Sequence, residues 1–289
     1  MPLRSSFAIL SQLNHLAAFS ADRRRDRLRN AVLIISIDVD VGAKLVAERN
    51  QTWRARAILG SDATRVHNCL SESRVGEIEE IAVPCLLNLF EKLEVPVTFG
   101  IRGQLTETEG SLYELIKRSS TKHEIAAHGY YHRTFTSLSR LEAEDELKKI
   151  SLGMRKFSLE PRSFIFPKNK VAYLDLLERY GYKCYRGCGG FVADGMYIRK
   201  YGNLYDVHPS FFIGSSPYSV WINKMVDVSI KRKAPFHIWF HPCDLGKNAQ
   251  SIRTRISRTL HPILTHIQKK RREGELSIET MYSAVENLA

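Results

Sequence analysis

The sequence predicts a single α/β domain, a deformed (β/α) barrel of about seven parallel strands with basic helical ends. Three observations carry this. Short β-branched runs alternate with longer amphipathic stretches over most of the 289 residues, which is the pattern of βαβ units. The first run, AVLIISIDV, is almost continuously apolar up to its aspartate, as a strand covered on both faces must be. No repeat, low-complexity tract or long linker divides the chain. The expected boundaries are residues 1–30 as a basic N-terminal helical extension, 31–245 as the barrel, and 246–289 as a basic C-terminal helical segment.

The elements follow in order. AVLIISIDV is the first strand, VPVTFGI (Val95 to Ile101) the second and EIAAH the third. SFIFP (Ser163 to Pro167), KCYRG, LYDVH and FHIWFH (Phe236 to His241) complete seven. Helical patterns lie between them: EIEEIAVPCLLNLFEKL, GSLYELIKRS, SRLEAEDELKKISLGMRKF, VAYLDLLERYGY and SVWINKMVDVSIKRK. The third of these has a clear start, because Glu142 three residues after Ser139 closes a capping box. Residues 41–75 break the rhythm. A long, polar, irregular connection is usually functional, and this one follows Asp40 directly, so it is placed to wall a cleft.

Hydrophobic content of 44% suits a soluble domain with a substantial core. The longest apolar stretch, Val32 to Ile37, is far too short to span a bilayer. The N-terminus reads as an amphipathic helix rather than a signal peptide. Five cysteines, odd in number and scattered, are expected to be reduced thiols of a cytoplasmic protein. The net charge of +12 gathers partly at the ends, in RRRDRLR (Arg23 to Arg29) and KKRR (Lys269 to Arg272). These are read as solvated helix faces. They leave room for peripheral membrane contact, and no specific nucleic-acid partner is expected.

In parallel sheets and barrels, reactive groups gather where strands end. Asp38 and Asp40 end the first strand, His128 the third and His241 the last. Residues two apart on a strand face one side, so both aspartates can enter one pocket, where two buried carboxylates call for a cation. His128 and His132 are four apart and are expected to meet on one side of a helical turn. Two imidazoles and a carboxylate make three ligands for a borderline-soft cation and leave a position open for water. A second carboxylate beside that water is a candidate base, which points to a hydrolase.

Three runs make the resemblance specific. HEIAAHGYYHR resembles the HxxxH metal motif of the polysaccharide deacetylases, carbohydrate esterase family 4, with its NodB-homology fold. IISIDVDVG resembles that family's first motif, usually TFDDG, in a spaced D-x-D form. FHIWFHP resembles the late motif whose strand-ending histidine donates a proton. The resemblance covers about residues 31–245. It implies that Asp40, His128 and His132 hold a divalent metal, most often Zn2+, that Asp38 is the general base, and that His241 protonates the departing amine. The implied reaction removes an N-acetyl group from an acetamido sugar in polysaccharide or glycoconjugate metabolism. The positive charge favours a phosphate-bearing substrate.

The sequence departs from the family in two places. Where the third motif supplies an arginine before a proline, this chain has SFIFPKNK, with Ile165 at that position. Lys168, Asn169 or Arg186 are the candidate replacements. The fourth motif's aspartate and tryptophan are not evident, so Asp206 in LYDVHP is the nearest candidate to orient His241, with His208 beside it at a strand end. Trp53, Arg54 and His67 in the irregular segment are candidate sugar contacts. Two other readings stay open: hydrolysis of another C–N bond, in a cyclic imide or ureide, and a non-catalytic basic binding module.

Overall fold

The structure is a computed structural model and describes residues 30–39, 81–107, 111–187, 195–214, 219–246 and 248–288. Asp40, Trp53, Arg54, His67 and the irregular segment lie outside the described residues, as do Cys69, Cys188 and almost all of the N-terminal extension.

Ten strands form one sheet that curls into a half-barrel. The seven expected strands are all present: β1 (Ala31–Val39), β2 (Thr98–Ile101), β3 (Glu124–Ala127), β4 (Ser163–Ile165), β5 (Cys184–Arg186), β7 (Leu204–Val207) and β9 (Pro235–Phe240). Three more join them: β6 (Ile198–Tyr201), β8 (Phe211–Phe212) and β10 (Leu276–Glu279). The order is β6-β7-β5-β4-β3-β2-β1-β9-β8, with β10 on β1. Every pairing is parallel except β6 with β7. The three additional strands are short and carry charged or exposed positions, so they lack the apolar run that betrays a buried strand.

The helices are α1 (Val83–Lys92), α2 (Ser111–Lys117), α3 (Arg140–Arg155), α4 (Leu174–Arg179), α5 (Ser219–Arg232), α6 (Ala249–Arg255), α7 (His261–Arg272) and α8 (Met281–Glu286). α3 starts at the expected capping box: Ser139 and Glu142 exchange side-chain and backbone bonds. Among the described residues no helix is long and apolar enough to cross a membrane.

β1 is the axis of the fold and is buried along its whole length. One edge is divided, with Ala31–Ile34 pairing β10 and Ser36–Val39 pairing β2, while the other edge pairs β9. Alternation then sorts its residues by face. Leu33, Ile35, Ile37 and Val39 join the large core between sheet and helices. Val32 and Ile34 face into the curl with Ala126, Ile165, Cys184 and Val207.

The C-terminal segment corrects an expectation. Residues 246–289 read as a basic helical segment outside the barrel, but their described part, residues 248–288, is built into it. β10 completes the edge of β1, and Met281, Ala284 and Val285 of α8 enter the inner core. The seat is polar as well. Glu124 accepts the Tyr282 backbone N–H (3.1 Å) and the Thr98 hydroxyl (2.8 Å), and Thr98 Oγ1 accepts the Met281 N–H (2.9 Å). Charge counting marked this segment as surface because its basic groups dominate its composition. Its few apolar residues decide where it packs.

Candidate active site

The polar residues that face into the curl at the strand ends converge. Asp38 faces in from β1, and Gly100 stands beside it in register on β2. His128 follows β3, and His241 follows β9. Asp38 Oδ2 lies 3.9 Å from His128 Nε2 and 3.8 Å from His241 Nε2. Asp38 is buried, whereas the His241 side chain keeps 24% of its surface. A Cβ on Gly100 would come within 2.8 Å of Ile165 Cδ1 and 3.6 Å of Asp38 Oδ1. The missing side chain is what lets Ile165 pack against β2 beside the carboxylate.

Arg186 reaches Asp38 across the interior from β5. Its Nη2 donates to Asp38 Oδ2, its Nη1 to Ser36 Oγ (2.8 Å) and its Nε to Asn169 Oδ1 (3.3 Å). The Trp239 ring lies 4.5 Å from the guanidinium carbon. Of the three replacements considered for the family's arginine, Arg186 is the one that contacts the carboxylate. Asn169 contacts Arg186, and Lys168 is exposed with a left-handed backbone (φ 55°). Burial opposes ionisation of Asp38, but the Arg186 guanidinium, with His128 and His241 adding to it, holds the carboxyl below its ordinary range. Asp38 Oδ1 is buried with no hydrogen-bond partner among the described residues.

His128 and His132 are brought together, with ring centroids 4.7 Å apart, but not by a helical turn. Residues 128–134 are irregular, and the chain reverses through left-handed Gly129 (φ 69°) and His132 (φ 57°). The loop is pinned on two sides. Gly103 and Gln104 donate backbone N–H groups to the carbonyls of Gly129 (2.9 Å) and Tyr130 (3.2 Å). Fully buried Glu146 of α3 accepts from Tyr130 N–H (2.8 Å) and pairs with Arg133 Nε (2.6 Å). The sequence reading missed Glu146, because it sits in a helix face that reads as charged surface.

The expected metal can be tested against these donors. His128 Nδ1 lies 2.8 Å from the Ile165 carbonyl, which can only accept. Nδ1 therefore carries the hydrogen, and Nε2 is left with its lone pair, the arrangement typical of a ligating histidine. With His132 buried beside it, the pair fits a cation. The third expected ligand, Asp40, lies outside the described residues, and among the described residues no group of three such side chains forms a metal site.

The orientation of His241 corrects the sequence reading. Its partner is Asp244, whose Oδ2 accepts from His241 Nδ1–H and from the His241 backbone N–H, both at 2.9 Å. Asp206 instead faces His208, with Oδ2 3.7 Å from Nδ1, and His208 Nδ1 meets Tyr197 OH at 2.8 Å beneath a stacked ring. Asp206 alternates with the inward-facing residues of β7, so it points away from the cleft. A carboxylate three residues after a strand-ending histidine was the available signal.

The curled parallel sheet with its cleft at the strand ends is the fold of the deacetylase-type α/β barrels. Within it, residues 78–185 match the polysaccharide deacetylase family, so the resemblance carried by HEIAAHGYYHR is a family match. Asp38 and His241 lie outside that stretch. The chain is 29% identical over 107 residues to a peptidoglycan deacetylase of Helicobacter pylori, covering 36% of each protein. The match thus spans about a third of that relative's length. A Mycobacterium smegmatis protein assigned to the polysaccharide deacetylases superposes with a TM-score of 0.65 at 15% identity, over 92% of both chains. Puue allantoinase superposes with a TM-score of 0.63 at 10% identity, over 92% of this chain and 93% of that one.

Proposed function

We propose that the protein is a metal-dependent N-deacetylase that releases acetate from an acetamido sugar. One observation carries this reading. Asp38 is buried, kept ionised and held at one oxygen by Arg186, while its other oxygen has no partner among the described residues. A carboxylate in that state has a lone pair on Oδ1 ready to accept a proton, and a metal would supply a water acidic enough to give one up.

Asp40, His128 and His132 would hold the cation, zinc in the first instance. When bound, it supplies Lewis-acid polarisation of the acetamide carbonyl and of water. Asp38 Oδ1 accepts the proton of the attacking water, and Arg186 steadies the carboxylate through Oδ2. His241 donates its Nε2 proton to the departing amine on the open side of the cleft. Asp244 accepts from His241 Nδ1–H and so favours the imidazolium that donates. The products are acetate and a free amino sugar. The net charge of +12 suits an anionic sugar carrier, and the peptidoglycan deacetylase relative adds cell-wall amino sugars to the candidates.

The test is acetate release from N-acetylglucosamine oligomers, muropeptides and a nucleotide-linked N-acetyl sugar, with a cyclic ureide as contrast. Release from a sugar, abolished by chelation and restored by Zn2+, is the expected result. Purified protein should hold about one divalent ion, given three protein ligands to one site, and lose it in the His128→Ala, His132→Ala double variant. Full acetate release by Asp38→Asn would refute the mechanism, and ureide ring opening without acetate release would replace the reaction.

A further inference from the structure

We propose that Ser36 and His237 are positioning residues that aim Arg186 and, through it, the carboxylate of Asp38. The inference rests on the reading of Asp38 as the base. It concerns two residues for which neither the sequence motifs nor the family resemblance supplies a role.

Arg186 comes from β5, four strands along the sheet from β1. Its long side chain must cross the interior, and ordering an arginine costs rotamer entropy. The tip needs a fixed receiver. Ser36 and Asp38 are two apart on β1 and face the same side, so together they match the fork of one guanidinium. Nη1 meets Ser36 and Nη2 meets Asp38.

Whether Ser36 can receive depends on where its own proton goes, and the structure fixes that. Ser36 Oγ lies 2.7 Å from His237 Nε2, and His237 Nδ1 lies 3.1 Å from the Val207 carbonyl. A carbonyl only accepts, so Nδ1 carries the hydrogen. In a neutral ring Nε2 is then an acceptor, Ser36 O–H donates to it, and the serine oxygen turns its lone pairs to Arg186. Burial, with the Arg186 charge adding to it, pushes the His237 pKa down to about 3, so the ring is neutral at any ordinary pH. All four side chains are buried, with no more than 2% of any residue exposed. Val207, His237, Ser36, Arg186 and Asp38 form one hydrogen-bonded line, with Arg186 donating outward in both directions and each proton in a single placement. With that line broken, Nη1 loses its acceptor, and Asn169 at Nε and the Trp239 ring are left to hold the guanidinium against Asp38.

Two measurements test this. The first is the ring tautomer of His237 in the full-length wild-type protein, read by nitrogen-15 NMR of labelled histidine. A neutral ring protonated at Nδ1, unchanged from pH 8 to pH 5, is expected. A ring protonated at Nε2, or a charged one, overturns the proposal whether or not the protein turns out to be a deacetylase. The second is a double-mutant cycle of Ser36→Ala and His237→Phe on acetate release. Each single variant should lower kcat at least tenfold with KM within threefold and metal content unchanged, and the double should be no worse than the weaker single. Ser36→Thr, which keeps the hydroxyl, should recover most of kcat. Wild-type kcat in Ser36→Ala, or losses that multiply in the double variant, would overturn the proposal.

Discussion

Replacing Arg186 by methionine keeps much of the side-chain volume and removes the guanidinium from a buried ion pair. The Arg186 and Asp38 side chains are 1% and 3% exposed, so water cannot take over the lost partner. At an effective dielectric of about 20, unit charges about 4 Å apart attract by roughly 4 kcal/mol. Removing one partner of a buried pair costs about 3–5 kcal/mol. His128 and His241 stand 3.9 and 3.8 Å from Asp38 Oδ2, too far to take over the hydrogen bond that the guanidinium supplies. Arg186→Met should therefore lose about 3–5 kcal/mol, a fall in Tm of roughly 6–20 °C for a chain of this size. Adding Asp38→Asn removes the orphaned charge and should recover most of that loss. Urea unfolding of the metal-free proteins at pH 7 measures both. A loss below about 1 kcal/mol, or a further loss in the double variant, would show that the pair does not hold the interior together as argued.

The remaining predictions concern the rest of the site and the frame. Gly100→Ala should cost only about 1 kcal/mol, because the clash is with the flexible end of Ile165, yet lower kcat/KM by displacing Ile165, whose carbonyl receives His128 Nδ1–H; an unchanged kcat/KM would show that this packing does not bear on the site. Asp244→Asn should leave stability within about 1 kcal/mol and lower kcat roughly 10²-fold, since the amide no longer stabilises a charged His241. Steady-state kinetics decides that case. His237 has a folded pKa of about 3 against an ordinary 6.5. The unfolded chain thus binds more protons between those values, and the stability this group contributes is present above pH 6.5 and lost as pH falls. The loss amounts to about 2 kcal/mol by pH 5. Urea midpoints at pH 7.5 and 5 should show that slope in the wild type and a flatter one in His237→Phe.

The sequence by itself determined what is local. AVLIISIDV, VPVTFGI and FHIWFH are strands because β-branched apolar runs of that length have no other stable use, and the residues that close them are therefore strand-end residues. That alone was enough to group Asp38, His128 and His241, which do meet. The capping box of α3 is equally local and is present as read. The loop joining His128 to His132 was legible as a pair and misread as a turn of helix, because spacing alone does not distinguish a helix from a reversal through a left-handed glycine.

Only the tertiary structure decided what crosses the sheet. Arg186 and Asp38 are 148 residues apart, and Ser36 and His237 are 201 apart. Parallel strands are joined by crossovers, so the register of β1 against β9, and the reach from β5, are set by how helices pack on the outside and not by any nearby residue. The same reason hid β10. A four-residue strand becomes one when β1 leaves the first half of an edge unpaired, a vacancy that exists in the folded sheet and nowhere in the sequence. Side-chain chemistry named the candidates, and the closing of the curl selected among them.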